Sequence, residues 1–529
     1  MASLFSPLFL VVFLPAVIVA YSLTPARWRW ITLLIASYTC FFIISQWLIV
    51  FIAVSTVSVW LLALGIERIR SRCATKVSSA EKSTKKLTKK RYDRSMRFLV
   101  LLGILFNLAL LMNSKYLGFF GGGIKDLLGH IGLHLELPTV SLAAPIGISF
   151  YTLMAISYLV DVYRKTVCAD KNLGHVALFL SFFPQIIEGP FCRFNETMPQ
   201  LLAGSPVRAS NLLAGMQRIL FGLFKKVIIA DRLDILVKTV FGNPTAYDGG
   251  SIALAAILYT LELYCDFSGA MDVTVGTARI FGITMPENFR QPFFSRTSSE
   301  FWKRWHVTLG AWFRDYIYYP VTLCRPIKRL TKSLRRRLSG RLGPLVASSM
   351  ALFCVWLLNG LWHGAGSQYL FFGMYYFVLI TLGGLVEPLA QRYAEKYGVN
   401  RSSLPYRTFQ TIRTLVVIFV GELFFRAEGL DMGVSMFIHM ITKFRLEPFC
   451  NKSALNLGMD VHDYMAVVVA LSVVFLVDIS IERGAQFWHV ARKQPLLCGV
   501  LCIALFMSIV IFGAYGWGYT PVAPMYAQF

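Results

Sequence analysis

Long apolar runs recur along this chain, separated by short stretches in which lysine and arginine gather; residues 4–21, 96–117, 411–425 and 497–514 are examples. A helix needs about 20 mostly apolar residues to cross roughly 30 Å of hydrocarbon, and window hydropathy predicts about a dozen such crossings here. Three fill residues 4–64, and the others fall at 97–119, 140–160, 211–230, 250–268, 343–361, 367–384, 408–427, 463–481 and 496–514.

Two stretches break this rhythm. Residues 173–200 are apolar but carry Pro184, Gly189, Pro190 and Pro199, and residues 284–320 are aromatic but interrupted by Pro286, Pro292 and Pro320. Irregular backbone at membrane depth is tolerated only where protein or a water-filled cavity satisfies its hydrogen bonds. The fold class expected is therefore all-α and polytopic, about a dozen transmembrane helices with re-entrant and interfacial helices around a cavity.

Composition agrees with the bilayer as solvent: of 529 residues 56% are hydrophobic and 15% charged, with a mean hydropathy of +0.59. A soluble globule of this composition would expose large apolar patches. The net charge of +24 does not indicate nucleic acid, because the basic residues bunch at the ends of apolar segments, where the positive-inside rule places them. The stretch 66–97, with Lys85, Lys86, Lys89, Lys90 and Arg91, reads as a cytoplasmic loop, and Arg325 to Arg341 faces the same side. Counting crossings from these markers puts both termini outside. The first apolar run lacks the basic leader and small-x-small site of a signal peptide and reads as an anchor. Ten cysteines show neither metal spacing nor a disulfide framework; Cys498 and Cys502 share one helix face as packing residues.

Two histidines stand in unusual company: His306 in Glu300-Phe-Trp-Lys-Arg-Trp-His306 and His363 in Asn359-Gly-Leu-Trp-His363-Gly-Ala-Gly366. An ionisable side chain in an apolar segment faces the protein interior or a pore and is a functional candidate by default. The alternative is a histidine that bonds a neighbouring helix. Glycines 360, 364 and 366 favour the functional reading of His363, since they let another backbone or a substrate approach closely. His306, among Trp302, Lys303, Arg304 and Trp305, fits an interfacial amphipathic helix equally well. Glu188, Glu262, Asp266, Asp272 and Asp315 lie in or near apolar runs; they suit a proton relay or pairing with Arg193, Arg279, Arg290, Arg304 or Arg314 that locks helices together. No nucleophile elbow, histidine-x4-aspartate box, phosphate-binding loop or dinucleotide fingerprint is present, which removes ATP-driven transport of the usual kind and nicotinamide chemistry. A histidine general base acting on an acyl carrier or hydroxyl is the simplest mechanism left.

These residues carry a family resemblance. The run Tyr264-Cys-Asp266-Phe-Ser-Gly269-Ala-Met-Asp272 continues through Pro286-Glu-Asn288-Phe-Arg290-Gln-Pro292, Phe301-Trp-Lys-Arg-Trp-His306 and Trp312-Phe-Arg-Asp315-Tyr-Ile-Tyr-Tyr-Pro320. With Pro145-Ile-Gly-Ile-Ser-Phe-Tyr151, Phe182-Phe-Pro184-Gln185-Ile-Ile-Glu-Gly189-Pro190 and Gly360-Leu-Trp-His363-Gly, it resembles the membrane-bound O-acyltransferase family over residues 145–366. The similarity is to the bacterial branch of alginate and peptidoglycan O-acetyltransferases and teichoic acid D-alanyl transferases.

The resemblance implies a ring of helices around a thinned centre, where a funnel from outside meets a tunnel from the cytoplasm. It makes His363 the catalytic histidine and His306 the second characteristic one, with Trp302, Arg304, Asn288, Asp315, Trp362 and Gln185 as substrate-binding candidates. The whole of 1–529 is then one membrane domain: N-terminal helices 1–64, a catalytic core 140–384, and C-terminal helices with a tail motif over 385–529. No metal and no tightly bound cofactor is expected; the donor is acetyl-CoA or an acyl carrier protein thioester, with Arg325 to Arg341 attracting its phosphates. The tail Pro524-Met-Tyr526-Ala-Gln528-Phe529 resembles a terminal motif of this branch, implying that Tyr526 relays the acyl group as a phenolic ester, phenol being a good leaving group; the other reading is an interfacial tyrosine anchor. Further implied partners are membrane lipid, an extracellular SGNH-hydrolase-like acyltransferase and a polysaccharide acceptor, at the cytoplasmic membrane of a bacterium. D-alanyl transfer to teichoic acid and a flippase or transporter are the rival functions.

Overall fold

A computed structural model describes residues 5–79, 81–115, 145–337, 342–451, 455, 457–485, 494–515 and 522. Tyr526 and the tail motif lie outside the described residues. The described chain is all-helical but for one isolated antiparallel bridge, Phe289 with Trp305. Among the described residues, seven stretches are long and apolar enough to cross a membrane: Ala26–Ser78, Lys82–Asn113, Gly249–Ile280, Gly343–His363, Ser367–Lys396, Leu404–Arg426 and Val461–Glu482. Shorter apolar helices occupy Leu8–Leu23, Leu430–Thr442 and Leu496–Phe512. The first stretch, at 53 residues, contains two helices, Arg29–Ser45 and Ile49–Ser78, meeting at Gln46, whose φ of 49° breaks the helical path.

The hydropathy count of about a dozen also took in 140–160 and 211–230. The helix observed in the former, Ile148–Arg164, has only 17 residues, and the latter carries Lys225 and Lys226. The basic stretch 66–97, expected as a loop, is almost entirely helical, because the helices Ile49–Ser78 and Lys82–Lys115 extend through it. Lysine and arginine are good helix formers, so charge here ends the apolar run without ending the helix.

The chain divides into two compact units: one holds residues up to Arg218 together with Val273–Pro286, the other Ile219–Asp272 and the chain from Glu287. In the first, the broken stretch 173–200 forms two short helices, Leu173–Ser181 and Phe194–Leu202, with irregular backbone between them. Residues 182–192 of that backbone are all buried. Its polar groups are satisfied by protein: the Phe183 amide donates to Ser37 Oγ (3.1 Å) and the Gly189 amide to the Gln185 carbonyl (2.8 Å). The backbone constraint read from the prolines is thus met by burial.

A helix that begins in the first unit and continues into the second changes pitch. Ala209–Leu223 passes into a π-helical turn, Phe224–Ala230, and continues as Asp231–Gly242. A π-turn inserts a residue and releases carbonyls from the α ladder; here the Val227 carbonyl takes the amide of Ala514 at 2.9 Å. The same turn carries two buried lysines. Lys225 Nζ meets Asp272 at 2.6 Å and Ser268 Oγ at 2.8 Å, and Lys226 Nζ meets Asp266 at 2.7 Å and Asp231 at 2.8 Å. The apolar-run carboxylates were expected to pair with arginines; for Asp266 and Asp272 the cations are lysines instead. The ammonium's compact charge suits a site reached from one helix turn.

Candidate functional site

Both histidines lie in the second unit, and the structure brings them into ring contact with one indole. His363 is the last residue of the helix Leu342–His363, ended by Gly364 and Gly366, and it is 6% exposed. Its ring lies 4.9 Å from that of Trp362 and edge-on to Phe425 at 5.0 Å, with Phe372 at 6.0 Å and Tyr369 at 6.4 Å. The Trp362 ring also lies 5.9 Å from the ring of His306, which is 4% exposed and edge-on to Phe267 at 4.8 Å.

The glycines around His363 act as expected, with a helix as the visitor. A Cβ on Gly360 would strike the Tyr369 carbonyl, and one on Gly373 the Trp356 carbonyl. These two positions let Leu342–His363 and Ser367–Lys396 cross backbone to backbone, which brings the Tyr369 and Phe372 rings onto His363.

His306 is held by Asn288. The Asn288 side-chain oxygen accepts from the Thr308 amide (3.0 Å), from Thr308 Oγ1 (2.8 Å) and from His306 Nδ1 (3.2 Å), and its main-chain oxygen accepts from Val307 at 3.0 Å. Because the Thr308 amide can only donate, the group facing it is the oxygen, so Nδ1 carries the proton and Nε2 is the basic nitrogen of the ring. Burial pushes the His306 imidazole down to about 3, so it stays neutral. His306 adopts φ 48°, ψ 50° as it opens the helix Val307–Phe313. That left-handed conformation costs a residue with a Cβ about 1–3 kcal/mol, offset here by the Asn288 bonds. The helix expected here is present as Ser298–Arg304, and His306 lies in the tight, buried turn that follows it, with the Arg290 amide bonded to the Arg304 carbonyl at 2.9 Å.

The other candidates separate. Trp302 packs edge-on to Tyr376 at 4.8 Å, Trp356 at 5.1 Å and Phe372 at 5.8 Å, so it joins the aromatic wall through Phe372. Arg304 bridges Glu300 at 2.8 Å and Glu482 at 2.7 Å, and Asp315 pairs with Arg314 at 3.0 Å. Gln185 is buried in the first unit, donating to the Phe179 carbonyl at 2.6 Å. Sequence reasoning did not single out Tyr369, Phe372 and Phe425, since aromatic residues in apolar runs carry no mark of their neighbours. It also passed over Lys225 and Lys226, although adjacent lysines inside the run 211–230 were a visible signal.

The family comparison adds what geometry alone does not. The sequence profile described as "MBOAT, membrane-bound O-acyltransferase family" matches residues 165–397, spanning both histidines. A probable alginate O-acetylase of Pseudomonas syringae pv. tomato is 33% identical over 435 residues, 82% of this chain and 74% of that protein. The chain belongs to the membrane-bound O-acyltransferase family. A peptidoglycan O-acetyltransferase of Helicobacter pylori is 29% identical over 371 residues, 65% of each chain. A teichoic acid D-alanyltransferase of Bacillus subtilis is 27% identical over 293 residues, 53% of this chain and 67% of that one. This member of the family is thus a multi-pass membrane acyltransferase, and the arrangement His306–Trp362–His363 lies inside the matched region.

Proposed function

We propose that this acyltransferase moves an acetyl group from a cytoplasmic thioester, acetyl-CoA or an acylated carrier protein, to a cell-surface or exported polysaccharide, with His363 as general base. The observation that carries the reading is the pair of buried imidazoles that both pack against Trp362. The proton that His363 takes from the attacking hydroxyl passes on to the departing thiolate: the hydroxyl oxygen bonds the acyl carbon, the carbon–sulfur bond breaks, and the thiol leaves protonated. His306, with Nδ1 tied to Asn288, holds its neutral ring in one orientation. Trp362 and Trp302 shape the chamber, and Arg304, Asp315 and Gln185 brace the elements around the substrate path.

In the same proposal about a dozen crossings form a ring in which an outer funnel and an inner tunnel meet at His363, both termini face outside, and the basic helix near Arg325 faces the donor. Residues 140–384 form the catalytic core. Tyr526 accepts the acyl group as a phenolic ester and passes it to an extracellular SGNH-hydrolase-like partner. Acetyl is favoured over D-alanyl because the alginate O-acetylase is similar over more of the chain, 82% against 53%.

His363→Ala at unchanged membrane abundance is expected to abolish O-acylation, measured as base-labile acetate released from the cell envelope; persistent acetate would remove His363 from the mechanism. Release of D-alanine in place of acetate would move the assignment to the teichoic acid reaction, and purified protein that moves a substrate without acyl turnover would favour the transporter. Tyr526→Phe tests the relay by itself, with normal surface acylation as the refuting result.

A further inference from the structure

The basic helix Arg325–Arg337 has a feature that topology does not explain. Lys328, Lys332 and Arg335 are spaced at i, i+4 and i+7 and so share one face. They open onto a cavity of about 360 Å³ whose other walls are Tyr318, Thr322, Thr331, Pro344, Ala347 and Ser348. Lys328, Lys332 and Arg335 are exposed, but they rim a cavity instead of spreading over a flat surface. Here Gly343 lets the two helices close together: a Cβ on it would lie 2.7 Å from the Thr331 carbonyl and 2.9 Å from Arg335 Cγ. The cations therefore converge on a concave site.

Among the described residues nothing anionic fills that role. From Tyr316 to Val386 the sequence contains no aspartate or glutamate, and among the described residues no carboxylate pairs with Lys328, Lys332 or Arg335. Three like charges around one cavity repel each other, and an anion would relieve that. The neutral wall adds a directional donor. Tyr318 Oη and Ser348 Oγ lie 2.8 Å apart; whichever donates to the other, one O–H of the pair is left to point elsewhere. The hydroxyls of Thr322 and Thr331 are committed to the carbonyls of Tyr319 and Ile327.

We propose that this cavity is a binding site for a phosphate group. Three cationic side chains and one hydroxyl match the oxygens of a phosphate mono- or diester, and the volume, about a dozen waters' worth, admits the phosphate with the glycerol or ribose attached to it. The anionic headgroup of a membrane phospholipid and the phosphates of a coenzyme A thioester share this chemistry. The exposed apolar side chains of Leu323, Met350 and Phe353 nearby in sequence suit the acyl chains of the former. The site stands independently of the role given to His363, because binding is measured without turnover.

The test uses the full-length protein in nanodiscs, with two probes: phosphatidylglycerol admixed into phosphatidylcholine, read as lipid retained by native mass spectrometry, and coenzyme A titrated into discs of phosphatidylcholine alone. The triple variant Lys328→Gln/Lys332→Gln/Arg335→Gln is expected to weaken the bound probe on the order of 100-fold, from roughly fivefold per cation near a membrane surface. Ala347→Leu, which fills the cavity without changing charge, is expected to weaken it too. Lys86→Gln/Lys89→Gln/Lys90→Gln, removing as much charge from the other basic helix, should leave it within about threefold. Dependence confined to the phosphatidylglycerol arm identifies a lipid site, and dependence confined to the coenzyme A arm identifies a donor site. Equal binding by the wild type and the triple variant, undiminished binding by Ala347→Leu, or an equal loss in the control triple would overturn the proposal.

Discussion

Two regions of the second unit bury polar groups and handle them in opposite ways. Around the π-turn Phe224–Ala230, each buried charge meets an opposite one: Lys225 with Asp272, Lys226 with Asp231 and Asp266. Around Trp362, two imidazoles are walled by aromatic rings. The first arrangement has discharged its electrostatics internally and has little left to offer a substrate. In the second, the polar atoms belong to rings that can exchange a proton, and aromatic neighbours hold those rings in place. Buried polarity by itself does not locate chemistry; what surrounds it does.

The largest effect should come from the chamber. His363→Gln, which keeps much of the ring's bulk, is expected to lower acyl turnover by about 10²–10⁴-fold, the usual contribution of a general base, while the thermal unfolding midpoint in detergent stays near that of the wild type. A variant that unfolds early would place His363 with the lysines as a structural group. The converse holds at the π-turn. Lys225→Met removes the cation that Asp272 meets at 2.6 Å and should cost about 3–5 kcal/mol, seen as a loss of folded protein; Lys225→Met/Asp272→Leu should regain most of it with activity restored. Failure of the double variant to recover activity would mean that the pair takes part in the reaction.

Asn288→Ala removes the acceptor of three hydrogen bonds and should cost about 1–3 kcal/mol for each buried donor left unmet. Turnover should fall further than stability alone explains, since His306 then loses its orientation; an activity loss that tracks folded fraction alone would make Asn288 a brace for the turn and nothing more. The smallest change is expected for Arg304→Gln. Its bonds to Glu300 and Glu482 are partly exposed, and such pairs contribute about 0–1 kcal/mol. A collapse of activity with stability intact would show that the guanidinium touches substrate.

Much of the fold was legible in the sequence because hydropathy is additive along the chain. The helices found at Leu342–His363, Ser367–Lys396, Leu404–Arg426, Val461–Glu482 and Pro495–Phe512 lie where apolar runs were read. The prolines of 173–200 and 284–320 correctly flagged broken backbone. Charge misled at 66–97, where the helices carry on past the apolar boundary, and Leu430–Thr442 was not anticipated. Of the site, the two histidines were visible as polar residues in apolar company; Asn288 stood out as a substrate-binding candidate, but its bond to His306 was not legible, because it lies 18 residues away across a turn that local pattern does not describe.

The sequence by itself determined that this chain lives in a bilayer, that its backbone breaks in two places, and that His306 and His363 stand apart from the rest. These follow from solvent preference and backbone chemistry, which act residue by residue. Only the tertiary structure decided that the histidines share one indole, that the buried aspartates belong to lysines, and that three cations of a basic helix converge on a cavity. Those facts depend on distances between residues far apart in the chain, and such distances are set by how helices cross, at positions such as Gly360 and Gly373, where backbones meet.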